Sequence, residues 1–237
     1  MNNWLKKIHS FVLPSTCTLC AAPGMESRDI CEPCYLSLPF NNSACQRCGL
    51  PLDAAAGHGV CGQCLQHPPL YQRCIAPWRY EAPVDYFIQR LKFNKDLVYA
   101  RLMAGLFAQH LVEVYENVGE IPDAIIPVPL HAARLRERGF NQSVEIAREI
   151  ASQMRVALDL RSCSRPKSTL PQAELPAAQR KQNIKGAFAY QPAHRYRRIA
   201  LVDDVMTTGH TISELVKTIQ KSSQCLIDVW VCARANH

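Results

Sequence analysis

Eight cysteines between positions 17 and 64 stand as four CxxC pairs: CTLC (Cys17, Cys20), CEPC (Cys31, Cys34), CQRC (Cys45, Cys48) and CGQC (Cys61, Cys64). A CxxC turn brings two thiolates close together, and two such turns complete a tetrahedral site for a soft divalent ion, above all zinc. Ten, ten and twelve residues separate successive pairs. Sequential pairing gives two ribbons, Cys17/Cys20/Cys31/Cys34 and Cys45/Cys48/Cys61/Cys64. Pairing the first with the third and the second with the fourth fits the same spacing. Either way the sites are closed, which points to structural metal rather than catalysis. The surrounding segment holds few large aliphatics, and a core that small needs a staple.

A second cluster lies near the carboxy terminus, in RRIALVDDVMTTGHTI (Arg197 to Ile212). An apolar run, Ile199 to Val202, ends in Asp203 and Asp204 and leads through Val205, Met206, Thr207, Thr208, Gly209, His210 and Thr211 into a helical pattern. Backbone N–H groups gather where a loop enters a helix, and that is where a phosphate is favoured. The threonines add hydroxyl donors, and Gly209 permits close backbone approach. Two carboxylates beside such a cradle would repel a bare phosphate. They suit a ligand that carries phosphate at one end and hydroxyls or Mg²⁺ at the other, and a ribose 5-phosphate has that form. The P-loop pattern GxxxxGK[ST] is absent.

These residues need elements to hold them. APVDYFIQRLKFNKDLVYARLMAGLFAQHLVEVY has helical period and predicts one or two helices packed on a sheet. DAIIPVPL (Asp123 to Leu130) predicts a first buried strand, followed by a helix over NQSVEIAREIASQM with Asn141 as its cap. ALDLRSCSR, GAFAY, RIALVDD and CLIDVWVCAR predict four more strands, with HTISELVKTIQKS as the helix between the last two. Strands alternating with helices imply an α/β fold with a mainly parallel sheet, whose ligand site lies beyond the carboxyl ends of the strands. The link from Arg165 to Lys185 is long, polar and broken by prolines. It carries Arg165, Lys167, Arg180, Lys181 and Lys185, a cationic set fit to close over an anion. Trp4, Ile8 and Phe11 recur at helical spacing and predict a short amphipathic helix before the cysteines.

The balance of 27 Lys and Arg against 20 Asp and Glu favours anionic partners, such as phosphorylated metabolites or nucleic acid. No run of about 18 apolar residues occurs, so no membrane span is expected. The metal-ligand spacing of the cysteines, without a secretory leader pattern ahead of them, fits a reducing cytoplasm better than a disulfide framework. Cys74, Cys163, Cys225 and Cys232 are expected to be buried small hydrophobes.

ALVDDVMTTGHTI resembles the phosphoribosyl pyrophosphate signature of type I phosphoribosyltransferases. VPLHAARLRERGFNQS, STLPQAEL, RKQNIKGAF and that signature, behind a CxxC-rich amino terminus, are similar to the ComF/GntX family of phosphoribosyltransferase-like proteins. The resemblance implies a type I phosphoribosyltransferase-like sheet over 71–237, with its lid loop near 165–185. An amino-terminal helix and double zinc ribbon over 1–70 would precede it. It also implies that the loop after the first strand, Pro129 to Gly139 with Arg134, Arg136 and Arg138, faces pyrophosphate, and that Gln172, Arg180 and Asn183 belong to the lid. Family association with competence, uptake of single-stranded DNA and use of DNA as a nutrient makes single-stranded DNA and DNA-uptake or processing proteins expected partners. An active transferase is the alternative. There Asp203 and Asp204 would hold the ribose, while Mg²⁺ with Arg134, Arg136 and Arg180 would stabilise the leaving pyrophosphate.

Overall fold

The structure, a computed structural model, describes residues 15–25, 28–53, 59–169, 182–192 and 194–236. The helix expected around Trp4, Ile8 and Phe11, and Gln172, Arg180 and Lys181 of the expected lid, lie outside these residues. The chain forms two compact units, Met1–Pro39 and Phe40–His237, so the second cysteine quartet shares a unit with the α/β body.

In the first unit, Thr16 bridges Pro23 and Cys17 N–H donates to the Ala22 carbonyl at 2.8 Å, closing a knuckle around the first CxxC pair. The second pair lies at the start of a short helix, α1 (Glu32–Leu36), which Cys31 caps. The same plan recurs in the larger unit. Ala44 bridges Pro51, Cys45 N–H donates to the Leu50 carbonyl at 2.8 Å, and Cys61 caps α2 (Gly62–Gln66).

The body is built on a parallel sheet. Its strands are β1 (Arg73–Ile75), β2 (Trp78–Arg79), β3 (Ala124–Pro127), β4 (Ala157–Leu158), β7 (Arg198–Met206) and β8 (Leu226–Arg234). They run in the order β1-β8-β7-β3-β4, with β2 also on β8, and every pairing is parallel. β7 and β8 read as near-continuous apolar runs because both of their faces are covered. The expected one or two helices are two, α3 (Val84–Asn94) and α4 (Leu97–Val118), separated at Lys95, whose φ of 60° is left-handed. α5 (Ala132–Arg138), α6 (Gln142–Met154) and α7 (His210–Gln220) complete the helices that position the carboxyl-terminal sheet edge. α7 buries Ile212, Leu215, Val216 and Ile219, spaced three or four apart so that one stripe faces the core. Burying such side chains contributes about 1.5–3 kcal/mol each.

One expectation needs correcting. GAFAY does not join the parallel sheet: its strand, β6 (Ala189–Tyr190), pairs antiparallel with β5 (Cys163–Ser164) in a separate two-stranded ribbon. The parallel sheet instead gains β1, whose three residues are too few to show a period. Among the described residues, no helix is long and apolar enough to cross a membrane.

At the amino-terminal end of β7 and β8, Asp228 is wholly buried and accepts from Tyr115 Oη at 2.6 Å and from Arg198 Nη1 at 3.2 Å. Trp230 Nε1 donates to the Tyr115 hydroxyl at 3.1 Å, and Arg198 also pairs with Glu120. Removing one partner of such a network strands a buried charge, which costs about 3–5 kcal/mol. Asp228→Ala is therefore expected to lower stability by about that amount in denaturant unfolding. A loss below about 1 kcal/mol would mean that the network is not buried as described.

Candidate functional site

The cysteine sulfurs come together in the sequential grouping, Cys17/Cys20/Cys31/Cys34 and Cys45/Cys48/Cys61/Cys64, with all four ligand atoms of each group within 4.8 Å of one another. Tetrahedral zinc with bonds of about 2.3 Å needs sulfurs about 3.8 Å apart. Cys20 and Cys31 sulfurs stand 3.5 Å apart, and those of Cys48 and Cys61 3.7 Å. Burial works against the Cys17 thiolate, but backbone N–H groups of Cys31, Cys20 and Leu19 outweigh it and bring its pKa down to about 6. Cys45 behaves likewise, burial being outweighed by backbone N–H groups of Cys61, Cys48 and Arg47 to give about 7. Donor set and spacing fit structural zinc, with one stabilised thiolate in each quartet. All twelve cysteines are free of disulfides, and Cys74, Cys163, Cys225 and Cys232 are buried.

The acidic pair sits within β7, which runs on to Met206 rather than ending at the carboxylates. Successive strand side chains leave opposite faces, and the two aspartates accordingly meet different helices. Ser143, near the start of α6, donates from Oγ to Asp203 Oδ1 at 2.8 Å, and the same oxygen accepts the Asp204 N–H at 2.9 Å. Asp204, 3% exposed, is ion-paired through Oδ2 to Lys92 of α3. α3 turns Val84, Phe87, Ile88 and Leu91 into the core, and Lys92 follows at the edge of that stripe with its side chain 24% exposed.

Burial, and then the charge of Asp204, push the Asp203 carboxyl up to about 7; Ser143 opposes the shift. Burial would raise Asp204 too, but the charge and hydrogen bond of Lys92 prevail and hold it below the usual carboxylate range. At neutral pH the pair therefore carries between one and two negative charges.

After β7 the chain turns through Thr207 and Thr208 to Gly209, which caps α7 with a φ of 74°. A Cβ there would stand 3.3 Å from Met206 Sδ, so both backbone angle and space call for glycine. Thr208 Oγ1 and His210 Nδ1 are 3.0 Å apart, which gives the histidine a part in shaping the turn. Val205, Thr207, Thr208, Gly209, His210 and Thr211 are all partly exposed, whereas Met206 is buried.

The arginines divide. Arg134 and Arg138 lie four residues apart on α5 and are both partly buried; Arg136, between them, is exposed. Arg138 donates from Nη1 to Gln142 Oε1 at 2.5 Å. Burial depresses its pKa, with Asp204 the strongest opposing charge. Arg165, 5.5 Å over the Phe188 ring, is depressed by burial likewise, and Asp203 opposes. Arg138 and Arg165 thus stand in the field of the acidic pair. Asn141 is the cap of α6, accepting from Ser143 N–H at 3.0 Å and donating to the Val128 carbonyl at 3.0 Å. Lys92, Ser143 and Arg234, whose Nη1 donates to the Met206 carbonyl at 3.0 Å, were not expected from sequence.

Two outcomes check this geometry. Purified protein is expected to carry two zinc ions per chain and Cys34→Ser only one, as measured by metal analysis; folded, reduced protein without zinc would contradict it. Asp203 holds its proton more tightly folded than unfolded, so its stabilising contribution is full below about pH 4 and disappears as pH rises through about 7. The stability of wild type minus that of Asp203→Asn is expected to fall over that window by at most about 1.4 kcal/mol per pH unit. A flat difference would refute the shift.

The double zinc ribbon family model matches residues 8–65. A DNA utilization protein YhgH of Salmonella typhimurium is 33% identical over 94% of this chain and 98% of its own length. Competence protein F of Haemophilus influenzae is 34% identical over 86% of this chain and 89% of its own. Competence protein ComFC of Streptococcus pneumoniae is 25% identical over 62% and 61%. With its cysteine quartets, its acidic strand end and this extent of likeness together, the chain belongs to the ComF/GntX family.

Proposed function

We propose that the turn after β7 binds the phosphate of phosphoribosyl pyrophosphate or of a nucleotide 5′-phosphate, and that the protein serves in uptake, processing or utilisation of DNA. The observation that carries this is the joining of an acidic pair to a glycine-capped helix start in one strand–turn–helix unit. The helix start offers N–H groups and a favourable dipole to phosphate. Asp203, which is partly exposed, offers acceptors to a ribose hydroxyl beyond its bond from Ser143, while Asp204, buried and paired with Lys92, would reach the ribose only if that pair opened on binding. Arg134, Arg138 and Arg165 supply cations for the pyrophosphate, while Arg136 is turned outward and Arg180 belongs to the proposed lid. Mg²⁺ would arrive with the pyrophosphate ligand. The names of the relatives, DNA utilization and competence proteins, support the biological setting. Metal-ligand spacing of the cysteines, all of them free of disulfides, suits a reducing cytoplasm.

Millimolar phosphoribosyl pyrophosphate with Mg²⁺ is expected to raise the melting temperature, and Asp203→Asn with Asp204→Asn to abolish the rise. No rise in the wild type would remove the ribose-phosphate reading. Pyrophosphate release on adding one of a panel of nucleobases would establish a transferase. Binding without release from any of them would leave a binding module.

A further inference from the structure

Arg234 ends β8, is 4% exposed, and reaches two parts of the unit far apart in sequence. Its Nε donates to the carbonyl of Cys48, a member of the second quartet, at 3.2 Å. Its Nη1 donates to the carbonyls of Met206, at 3.0 Å, of Ala235, at 2.9 Å, and of Thr207. We infer that Arg234 is a positioning residue that couples metal in the second quartet to the shape of the turn after β7. This rests on the reading of that turn as the phosphate seat.

A buried guanidinium is costly unless its donors are met. Here backbone carbonyls meet those of Nε and Nη1. The guanidinium is planar and its donors form a rigid fork. Fixing Nε to the Cys48 carbonyl therefore sets where Nη1 can lie, and with it the Met206 and Thr207 carbonyls.

The knuckle end of this link is itself held. Gly49, with a φ of 67°, lies so close to β1 that a Cβ would stand 3.2 Å from the Cys74 carbonyl. Asn41 Nδ2 donates both to the Gly49 carbonyl, at 2.9 Å, and to the Ala76 carbonyl, at 3.2 Å. Metal bound by Cys45, Cys48, Cys61 and Cys64 would fix the backbone at Cys48, and β1 gives that backbone a fixed frame.

At the turn, the consequence follows from the planar trans peptide. A carbonyl and the N–H of the next residue point in opposite directions. With the Met206 and Thr207 carbonyls turned toward Arg234, the N–H groups of Thr207 and Thr208 point away from it. In the proposed function those are donors at the edge of the phosphate seat. The arginine thus aims amides it does not touch, and its charge lies behind the seat. Without the second-site metal, Cys48 loses one of its constraints, and the Met206 and Thr207 carbonyls lose part of what holds them, although Ala235 N–H still donates to the Met206 carbonyl at 3.1 Å.

Three measurements on the full chain test the coupling. Amide hydrogen exchange at Thr207 to His210, without ligand, is expected to quicken about tenfold in Arg234→Gln, within the usual range of coupling between sites. Arg234→Lys, which keeps the charge but not the fork, should give an intermediate value, and β3 should not change. Chelator titration of wild-type zinc should quicken the same amides as the second site empties. Loop exchange that is unaltered in a folded variant, or on emptying the site, would overturn the coupling. The dissociation constant for phosphoribosyl pyrophosphate with Mg²⁺ is expected to rise about tenfold in Arg234→Gln, and by reciprocity the ligand should raise the zinc affinity of one site. Equal affinity in the variant would overturn the coupling. Quickened exchange in a protein whose wild type does not bind the ligand would uphold the coupling and remove the phosphate reading instead.

Discussion

Two carboxylates on consecutive residues, at the inner end of a buried strand, cannot both be charged without help. Lys92 on one side and Ser143 on the other provide that help, and much of the architecture follows from placing them. α3 carries Lys92 in its last turn, where it reaches Asp204, and ends at the left-handed Lys95 before α4 begins. α6 must start where Ser143 meets Asp203, and Asn141 secures that start by capping the helix and holding the Val128 carbonyl beyond β3. Arg138 and Arg165 lie within the field of the same pair.

The metal sites belong to the same economy of support. Each quartet joins a knuckle to the first turn of a short helix, and neither segment has enough apolar surface to fold on hydrophobic burial alone. The second quartet shares a compact unit with the α/β body, through Asn41, Gly49 and Arg234. In that arrangement the quartet is tied to β8, whose Arg234 bonds the Cys48 carbonyl and which pairs with β7, the strand that carries the acidic pair.

The parts of the molecule written in local pattern were legible in the sequence. CxxC spacing announced metal, the run from Ile199 through Gly209 announced a strand, an acidic pair and a helix start, and the 3.6-residue period announced α4 and α7. What depends on distant pairing was not legible. Lys92 looks like any surface lysine beside an apolar stripe, and only the fold reveals its aspartate. GAFAY has the composition of a strand, but composition does not say which strand it meets. Sequence spacing left two groupings of the cysteines open, and the backbone brings the sequential one together. Arg234 gave no signal at all, because its partners are carbonyls, which every residue has.

The central claim is that the turn from Thr207 to His210 seats a phosphate and that Asp203 and Asp204 face the sugar attached to it. A crystal structure of the protein with phosphoribosyl pyrophosphate and Mg²⁺ tests this most directly. The account predicts the 5-phosphate within hydrogen-bond distance, about 3 Å, of backbone N–H groups in the turn, and ribose hydroxyls on one or both carboxylates. A ligand bound elsewhere, with the contacts of the two aspartates to Lys92 and Ser143 unchanged, would contradict it.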